Sequence, residues 1–307
     1  MRLDVFALGL IGLLLAACGT EAPQDGSEKK SEQNMPEQEF DWQGHRGARG
    51  LLPENTVPAF LLALEYPKIS TLELDVAVSK DGKLIVSHEP WFSAHICSDP
   101  EGKPLTEEDS EHLLLYELTA EEIRRYDCGS RGNERFPDQK KMKTYKPQLS
   151  EVVQAADQRA KEMGRPLPRY NIEIKSQPDW DGLRTPDPET FVTLVWEALN
   201  ALGIKERTCI QSFDIRPLEV LHRKDPSITV AYLVEELDSL EQNLAKLSFT
   251  PTIYSPYYML VTANMVDALH ERGIRIIPWT VNDPENMQAL MDLGVDGIIT
   301  DYPDRIP

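Results

Sequence analysis

The chain is expected to fold as an α/β protein of the (β/α)8 TIM-barrel class, on three observations. Eight short runs rich in β-branched and apolar residues, at 42–46, 71–78, 171–175, 208–212, 229–233, 252–255, 274–280 and 297–300, alternate with stretches of helical period. About 260 residues carry that alternation, the usual length of one such barrel, and no Ser/Gly-rich or Pro-rich linker divides them. Charged residues and histidines gather at the carboxyl ends of the runs, which share one rim in a parallel barrel.

Ahead of the first run, residues 1–18 read as an address. Arg2 lies in a short basic start and residues 5–17 are almost wholly apolar. Leu15-Ala16-Ala17-Cys18 is a small-residue cleavage site ending on cysteine, which resembles the lipobox of bacterial lipoproteins. The apolar stretch is shorter than the ~20 residues a spanning helix needs. Cleavage leaves Cys18 as an acylated first residue, and several acyl chains together anchor a protein stably to a bilayer. Gly19, with no Asp beside that cysteine, resembles the pattern of lipoproteins sent to the outer membrane. The expected location is the cell envelope, lipid-anchored, facing the periplasm or the cell surface. Residues 19–39 hold one methionine and no other large apolar residue, so they are expected to form a flexible tether. Its root-mean-square reach is about 25 Å. The barrel domain then occupies residues 40–307.

A net charge of −19 makes nucleic acid an unexpected partner, and an anionic small molecule needs a site with its own positive charge. Beyond Cys18, three cysteines remain. Cys97 and Cys128, close together in a chain bound for an oxidising compartment, are the expected disulfide, while Cys209 in "TCIQSF" reads as core. None has metal-ligand spacing with a histidine.

Helical stretches at 57–66, 150–163, 189–202, 216–223, 236–247, 262–272 and 284–293 fit between the runs. Pro53-Glu54-Asn55-Thr56 reads as the turn opening the first helix, with Asn55 or Thr56 as its cap. An additional strand, 83–88, follows the tight-turn pair Asp81-Gly82 and reads as the return arm of a hairpin off the second barrel strand. Residues 89–147, rich in charge and without a strong apolar period, are expected as an insertion on the active face. The last run is followed by "DYPDRIP", too short for an outer helix.

Glu73 and Asp75 are two apart on one strand and therefore point to the same side, leaving Leu72, Leu74 and Val76 for the helices. Glu173 and Lys175 repeat the arrangement on the next barrel strand. Three inward carboxylates without a sulfur ligand suit one hard divalent cation, Ca²⁺ or Mg²⁺. The carboxylates carry −3, the cation brings −1, Arg46 and Lys175 raise it to +1, and one phosphodiester makes the site neutral. Arg46 offers a bidentate fork to phosphate oxygens. His45 and His88 are placed to divide the proton work. Gly44 and Gly47 are expected to let the backbone approach a ligand. Glu54 is a candidate partner for Arg46, and Trp279 for stacking on substrate or for packing the rim. Arg49 reads either as a phosphate contact or as a solvated loop residue, and His95, His112, His222 and His270 as surface or satisfied side chains.

"HRGARGLLPENT", "ELDVAVSKDGKLIVSHEP", "NIEIK", "IQSF", "PWTVN" and "DGIITDYP", in that order over residues 42–303, together resemble the glycerophosphodiester phosphodiesterase family. The resemblance implies a barrel that hydrolyses glycerophosphodiesters to glycerol 3-phosphate and an alcohol. It also implies a divalent metal on Glu73, Asp75 and Glu173 and a catalytic pair in His45 and His88. Arg46, Lys175 and Glu54 match the family's substrate-side residues. The hairpin ends in Ser-His-Glu-Pro where many members have His-Asp. Two other functions share parts of this pattern: a lyase releasing a cyclic phosphate, and a non-enzymatic envelope lipoprotein that binds phosphodiester ligands.

Overall fold

Every second residue of the strand 69–78 faces inward, and that alternation fixes the architecture. A computed structural model describes residues 39–307; the expectations for the leader, the acylated Cys18 and the tether through residue 38 lie outside the described residues. The elements run β1 Asp41–Gly44, α1 Val57–Leu64, β2 Ile69–Val78, β3 Leu84–Val86, α2 Glu107–His112, α3 Ala120–Ile123, α4 Leu149–Glu162, β4 Arg169–Ile174 and α5 Pro188–Leu202. They continue β5 Thr208–Ser212, α6 Ile215–Lys224, β6 Thr229–Val234, α7 Leu240–Leu244, β7 Ile253–Pro256, α8 Ala263–His270, β8 Arg275–Ile276, α9 Pro284–Asp292 and β9 Gly297–Thr300. The strands other than β3 pair in parallel from β9 through β1, β2, β4, β5, β6 and β7 to β8. β3 folds back antiparallel on β2 as the hairpin arm.

Backbone bonds outside the regular ladder close the barrel: Asp296 N donates to Ile276 O (2.9 Å), Ile299 N to Pro278 O (3.0 Å) and Val281 N to Ile299 O (2.9 Å). The seventh barrel strand, expected over 274–280, therefore shortens to Arg275–Ile276, because Pro278 has no N–H to give a ladder. The helix expected over 236–247 shortens likewise. It starts only at Leu240, where Ser239 and Gln242 form a capping box.

On the outer side of β2, Leu72, Leu74 and Val76 are wholly buried in one core with Phe60 and Leu64 of α1 and Leu149 and Val152 of α4. The interior divides in two. Ala231, Ile253, Ile277 and Ile299 pack together with Cys209 alongside, the branched filling usual for such barrels. The half built by β1, β2, β4 and β5 carries instead Gln43, Glu73, Asp75, Asn171, Glu173 and Gln211, all buried.

Residues 89–147 do carry local order. α2 and α3 each open on a threonine capping box, Thr106 with Asp109 and Thr119 with Glu122. Phe92, Leu105, Leu115, Ile123 and the two buried cysteines pack on Ala77 and Ile85 of the hairpin. The Cys97 and Cys128 sulfurs stand 2.11 Å apart, across 31 residues of chain. Closing a loop of that length stabilises a fold by about 3–4 kcal/mol through the unfolded state. The double variant Cys97→Ala/Cys128→Ala should accordingly melt roughly 10 °C lower. Differential scanning calorimetry checks this, with intact mass of the unreduced wild type confirming the bridge; an unchanged melting temperature contradicts it.

Candidate active site

Residues 44–50 form the tight turn that follows β1. Arg46 adopts a left-handed backbone at φ 50° and Gly47 follows at φ 86°. For arginine this conformation is strained by about 1 kcal/mol or more. It aims the Arg46 N–H at Glu73 Oε2, 2.9 Å away. The side chain meets Glu54 Oε1 at 2.7 Å and Asp75 Oδ2 at 3.4 Å. A Cβ on Gly47 would stand 2.6 Å from the Ala59 carbonyl carbon, and one on Gly44 2.5 Å from Gly47 O. These glycines thus serve the packing of the turn against α1, which corrects the expectation that they admit a ligand.

Glu73 and Asp75 project inward from β2 and Glu173 from β4, 2%, 1% and 6% exposed. Strand register sets Asp75 directly beside Glu173, a like-charge pairing that costs stability unless something offsets it. One oxygen from each of the three lies within 4.8 Å of the other two. Donors hold the flanks: Gln211 Nε2 gives to Glu73 Oε1 (2.8 Å), Asn55 Nδ2 to Asp75 Oδ2 (2.8 Å), and Lys175 Nζ sits 2.9 Å from Glu173 Oε1. Asp75 Oδ1 is buried with no partner among the described residues. Burial first, and then the Asp75 charge, push the Glu73 carboxyl well above its ordinary range. Burial also raises Glu173 against the pull of Lys175. Asp75 goes the other way: burial opposes its charge, but Arg46, with His88 and Lys175, holds it far below. An excess of negative charge and an orphaned carboxylate oxygen in an all-oxygen donor set fit a hard divalent cation.

The histidines flank this cluster. His45 Nδ1 lies 2.7 Å from Asp301 Oδ1, and its Nε2 lies 3.9 Å from Glu73 Oε2. Burial, and next the Arg49 charge, lower the ring to about 4 even though Asp301 pulls it upward. The ring is therefore neutral at neutral pH. Because a carboxylate only accepts, Nδ1 carries the proton and Nε2 faces the cluster bare. His88, just past β3, has Nδ1 at 2.8 Å from Glu89 Oε1, and its Nε2 lies 3.1 Å from Lys175 Nζ. Glu89 falls to about 2, burial notwithstanding, through the hydrogen bond and charge of His88. The insertion props the hairpin from behind, where buried Lys146 Nζ donates to Ser87 Oγ at 2.7 Å.

Other candidates fall where their surroundings put them. Glu54 is the partner of Arg46, and Thr56, not Asn55, caps α1. Arg49 is not a solvated loop residue: 6% exposed, it forks onto Asp301 at 2.7 and 3.1 Å and lies over the Phe136 ring. Half-buried Trp279 donates Nε1 to Ser255 O (2.9 Å) and meets Phe213 edge-on, so it both packs the rim and lines the cleft. His95, His112 and His270 are exposed, and His222 stacks on Phe249. Together the rim and the insertion enclose an open cleft of about 1230 Å³.

Asp301, Asn55, Gln211 and Glu89 escaped the reading of the sequence. A signal for Asp301 existed. Barrel closure puts β9 beside β1, with Gly44 opposite Thr300, so the acid after β9 must neighbour the histidine after β1. Asn55, at φ 56°, was legible as a turn residue but not as the donor to Asp75.

Comparison with known proteins agrees with this fold. The profile of the Glycerophosphoryl diester phosphodiesterase family matches residues 45–305. The chain is 31% identical to a glycerophosphodiester phosphodiesterase of Bacillus altitudinis over 85% of its own length and 94% of that protein's. It is 29% identical, over the same shares, to one from Caldanaerobacter subterraneus subsp. tengcongensis. Among solved structures, one from Silicibacter pomeroyi DSS-3 named for the same activity superposes with a TM-score of 0.76 at 30% identity, covering 88% of this chain and 92% of that one. A phosphodiesterase of Oleispira antarctica, solved with the product sn-glycerol-3-phosphate, shares the fold at 22% identity and a TM-score of 0.68, covering 87% and 94%.

Asp301 gives this geometry its test. Burial works to raise its carboxyl, but His45 and Arg49 hold it well below the ordinary range. Its stabilising contribution is thus complete above the ordinary carboxylate value near 4 and is lost as pH falls below it. Asp301→Asn should lower kcat by about 10²-fold or more, since the amide no longer fixes the tautomer of His45. It should also flatten the decline of melting temperature between pH 5 and pH 3. Wild-type kcat together with an unchanged pH profile would contradict the assigned role.

Proposed function

The chain belongs to the glycerophosphoryl diester phosphodiesterase family, and we propose that it hydrolyses glycerophosphodiesters to glycerol 3-phosphate and an alcohol, with a divalent cation held by Glu73, Asp75 and Glu173. The observation that carries this reading is the buried carboxylate cluster, with its orphaned Asp75 Oδ1, flanked by His45 and His88. When bound, the cation supplies Lewis-acid polarisation of a phosphoryl oxygen. Arg46 and Lys175 offer donors to the remaining non-bridging oxygen, and Glu54 keeps the Arg46 guanidinium aimed at it. The half-buried rings of Phe213 and Trp279 give the glycerol carbons an apolar wall.

Local environments support a division of the proton steps. The bare Nε2 of His45 takes a proton from the attacking water as its oxygen bonds to phosphorus. His88, whose protonated ring Glu89 balances, gives its proton to the alkoxide oxygen as the other P–O bond breaks. Charge supports the division. Glu54, Glu73, Asp75, Glu89, Glu173 and Asp301 face Arg46, Arg49, Lys146 and Lys175, so a divalent cation brings the cluster to neutrality. A monoanionic diester then leaves one negative charge, which a protonated His88 offsets. The N-terminal sequence supports, as part of the same proposal, attachment to the cell envelope through an acylated Cys18.

Asp75→Asn should abolish turnover or raise the cation requirement steeply, whereas full activity of that variant in EDTA would end the metal reading. His45→Ala and His88→Ala should each lose about 10²–10⁴ in rate while still binding the cation. On a substrate with a nitrophenol leaving group, which needs no acid, only His88→Ala should recover. Phosphorus NMR of a glycerophosphodiester panel should show glycerol 3-phosphate. A cyclic phosphate as final product would point to a lyase, and absence of turnover to a binding protein.

A further inference from the structure

Beneath the carboxylates, the polar half of the barrel interior carries a continuous line of buried side chains with no part in the proton steps. Gln43 Nε2 donates to Asp41 Oδ2 at 2.9 Å. Asn171 Nδ2 donates both to Gln43 Oε1 (2.8 Å) and to Gln211 Oε1 (2.9 Å). Gln211 Nε2 donates in turn to Glu73 Oε1 at 2.8 Å. No member of the line, from Asp41 to Glu73, is more than 4% exposed. Asp41 opens β1, at the end of the barrel away from the rim, where Thr71 Oγ1 (2.6 Å) and Arg169 Nη2 (2.9 Å) fix it.

The two ends dictate every donor direction. A carboxylate only accepts, so Gln43 must turn its NH₂ to Asp41, and Gln211 must turn its own to Glu73. Both glutamines then present a carbonyl to Asn171, whose single NH₂ serves the two of them. The Asn171 carbonyl is left over, and Asn171 Oδ1 is indeed buried without a partner among the described residues. An unmade buried acceptor is unfavourable. The arrangement that tolerates it is the one that offers Glu73 a donor and nothing else.

We propose that Gln211 is a positioning residue for the cation site. Backed by Asn171, it fixes the rotation of the Glu73 carboxylate and keeps it an acceptor turned toward Asp75 and Glu173. The proposal rests on the reading that these three carboxylates bind a divalent cation. Partners one shell out from a metal ligand typically account for about 10–100-fold in metal affinity. A glutamine on β5 is well placed for such work, since register puts it beside Glu173 while its side chain reaches Glu73.

Two variants of the full chain test this by titration calorimetry with CaCl₂ and with MgCl₂, with circular dichroism confirming the fold. Gln211→Met keeps the length of the side chain but donates nothing. Asn171→Asp, one bond further from the cluster, keeps its shape but demands a donor, so Gln211 must turn its carbonyl on Glu73. Each should weaken cation binding about tenfold or more, while KM for a glycerophosphodiester at saturating cation stays within about twofold. Wild-type affinity in folded Gln211→Met would overturn the proposal, as would a KM rising in step with the cation Kd, the mark of general loosening. Tighter binding by Asn171→Asp would also overturn it, because added negative charge would then outweigh hydrogen-bond direction. Should Gln211→Met not fold, Asn171→Asp decides alone. If the wild type itself binds no cation, the metal reading falls and this proposal with it; if the wild type binds and both variants match it, this proposal alone falls.

Discussion

Mutual repulsion among Glu73, Asp75 and Glu173, brought side by side by the β2–β4 register and almost shut off from water, sets the terms for what surrounds them. Each neighbour answers it in its own way. Arg46 accepts a left-handed backbone so that its N–H meets Glu73 while its guanidinium faces Asp75. Asn55, also left-handed, gives its amide to Asp75, and Lys175 lies against Glu173. These contacts satisfy the outer oxygens and leave Asp75 Oδ1 unpaired, so the protein offsets the repulsion only in part. On the proposed reading a divalent cation would complete the compensation, which would make binding and catalysis one electrostatic problem.

The same constraint explains the division of the barrel interior. Branched aliphatic side chains fill the half under β6 to β9, where no charge must be held. The half under the carboxylates is built of amides, which transmit orientation through directional bonds where apolar packing could not. Around the rim, the supports come from distant parts of the chain: Asp301 after the last strand fixes His45, and Lys146 from the end of the insertion steadies Ser87 beside His88. On the proposed reading, function would depend on closure of the barrel and on seating of the insertion as much as on the carboxylates.

Much of this was legible in the sequence because strand period and strand order are local. Alternation on β2 separated Leu72, Leu74 and Val76 from Glu73 and Asp75, and the topology placed Glu173 beside them. What escaped depended on partners rather than on period. Gln43, Asn171 and Gln211 alternate as the inward face of any strand does, and nothing nearby in sequence says that their amides bond to one another. Gly44 and Gly47 advertise a tight turn but not what it packs against. Pro278 cut short a strand that apolar content alone extended. Thr106 and Thr119 were readable capping signals within a segment whose charge hid them.

The claim at the centre, that these carboxylates exist to hold a cation, is open to one direct measurement. Crystals of the protein soaked in Mn²⁺ and measured at a wavelength where manganese scatters anomalously should show one strong peak, bonded to oxygens of Glu73, Asp75 and Glu173 and absent when Asp75 is replaced by Asn. An empty cluster in crystals of an enzyme that keeps full turnover in EDTA would contradict the account, because the repulsion would then have to be resolved by protonation alone.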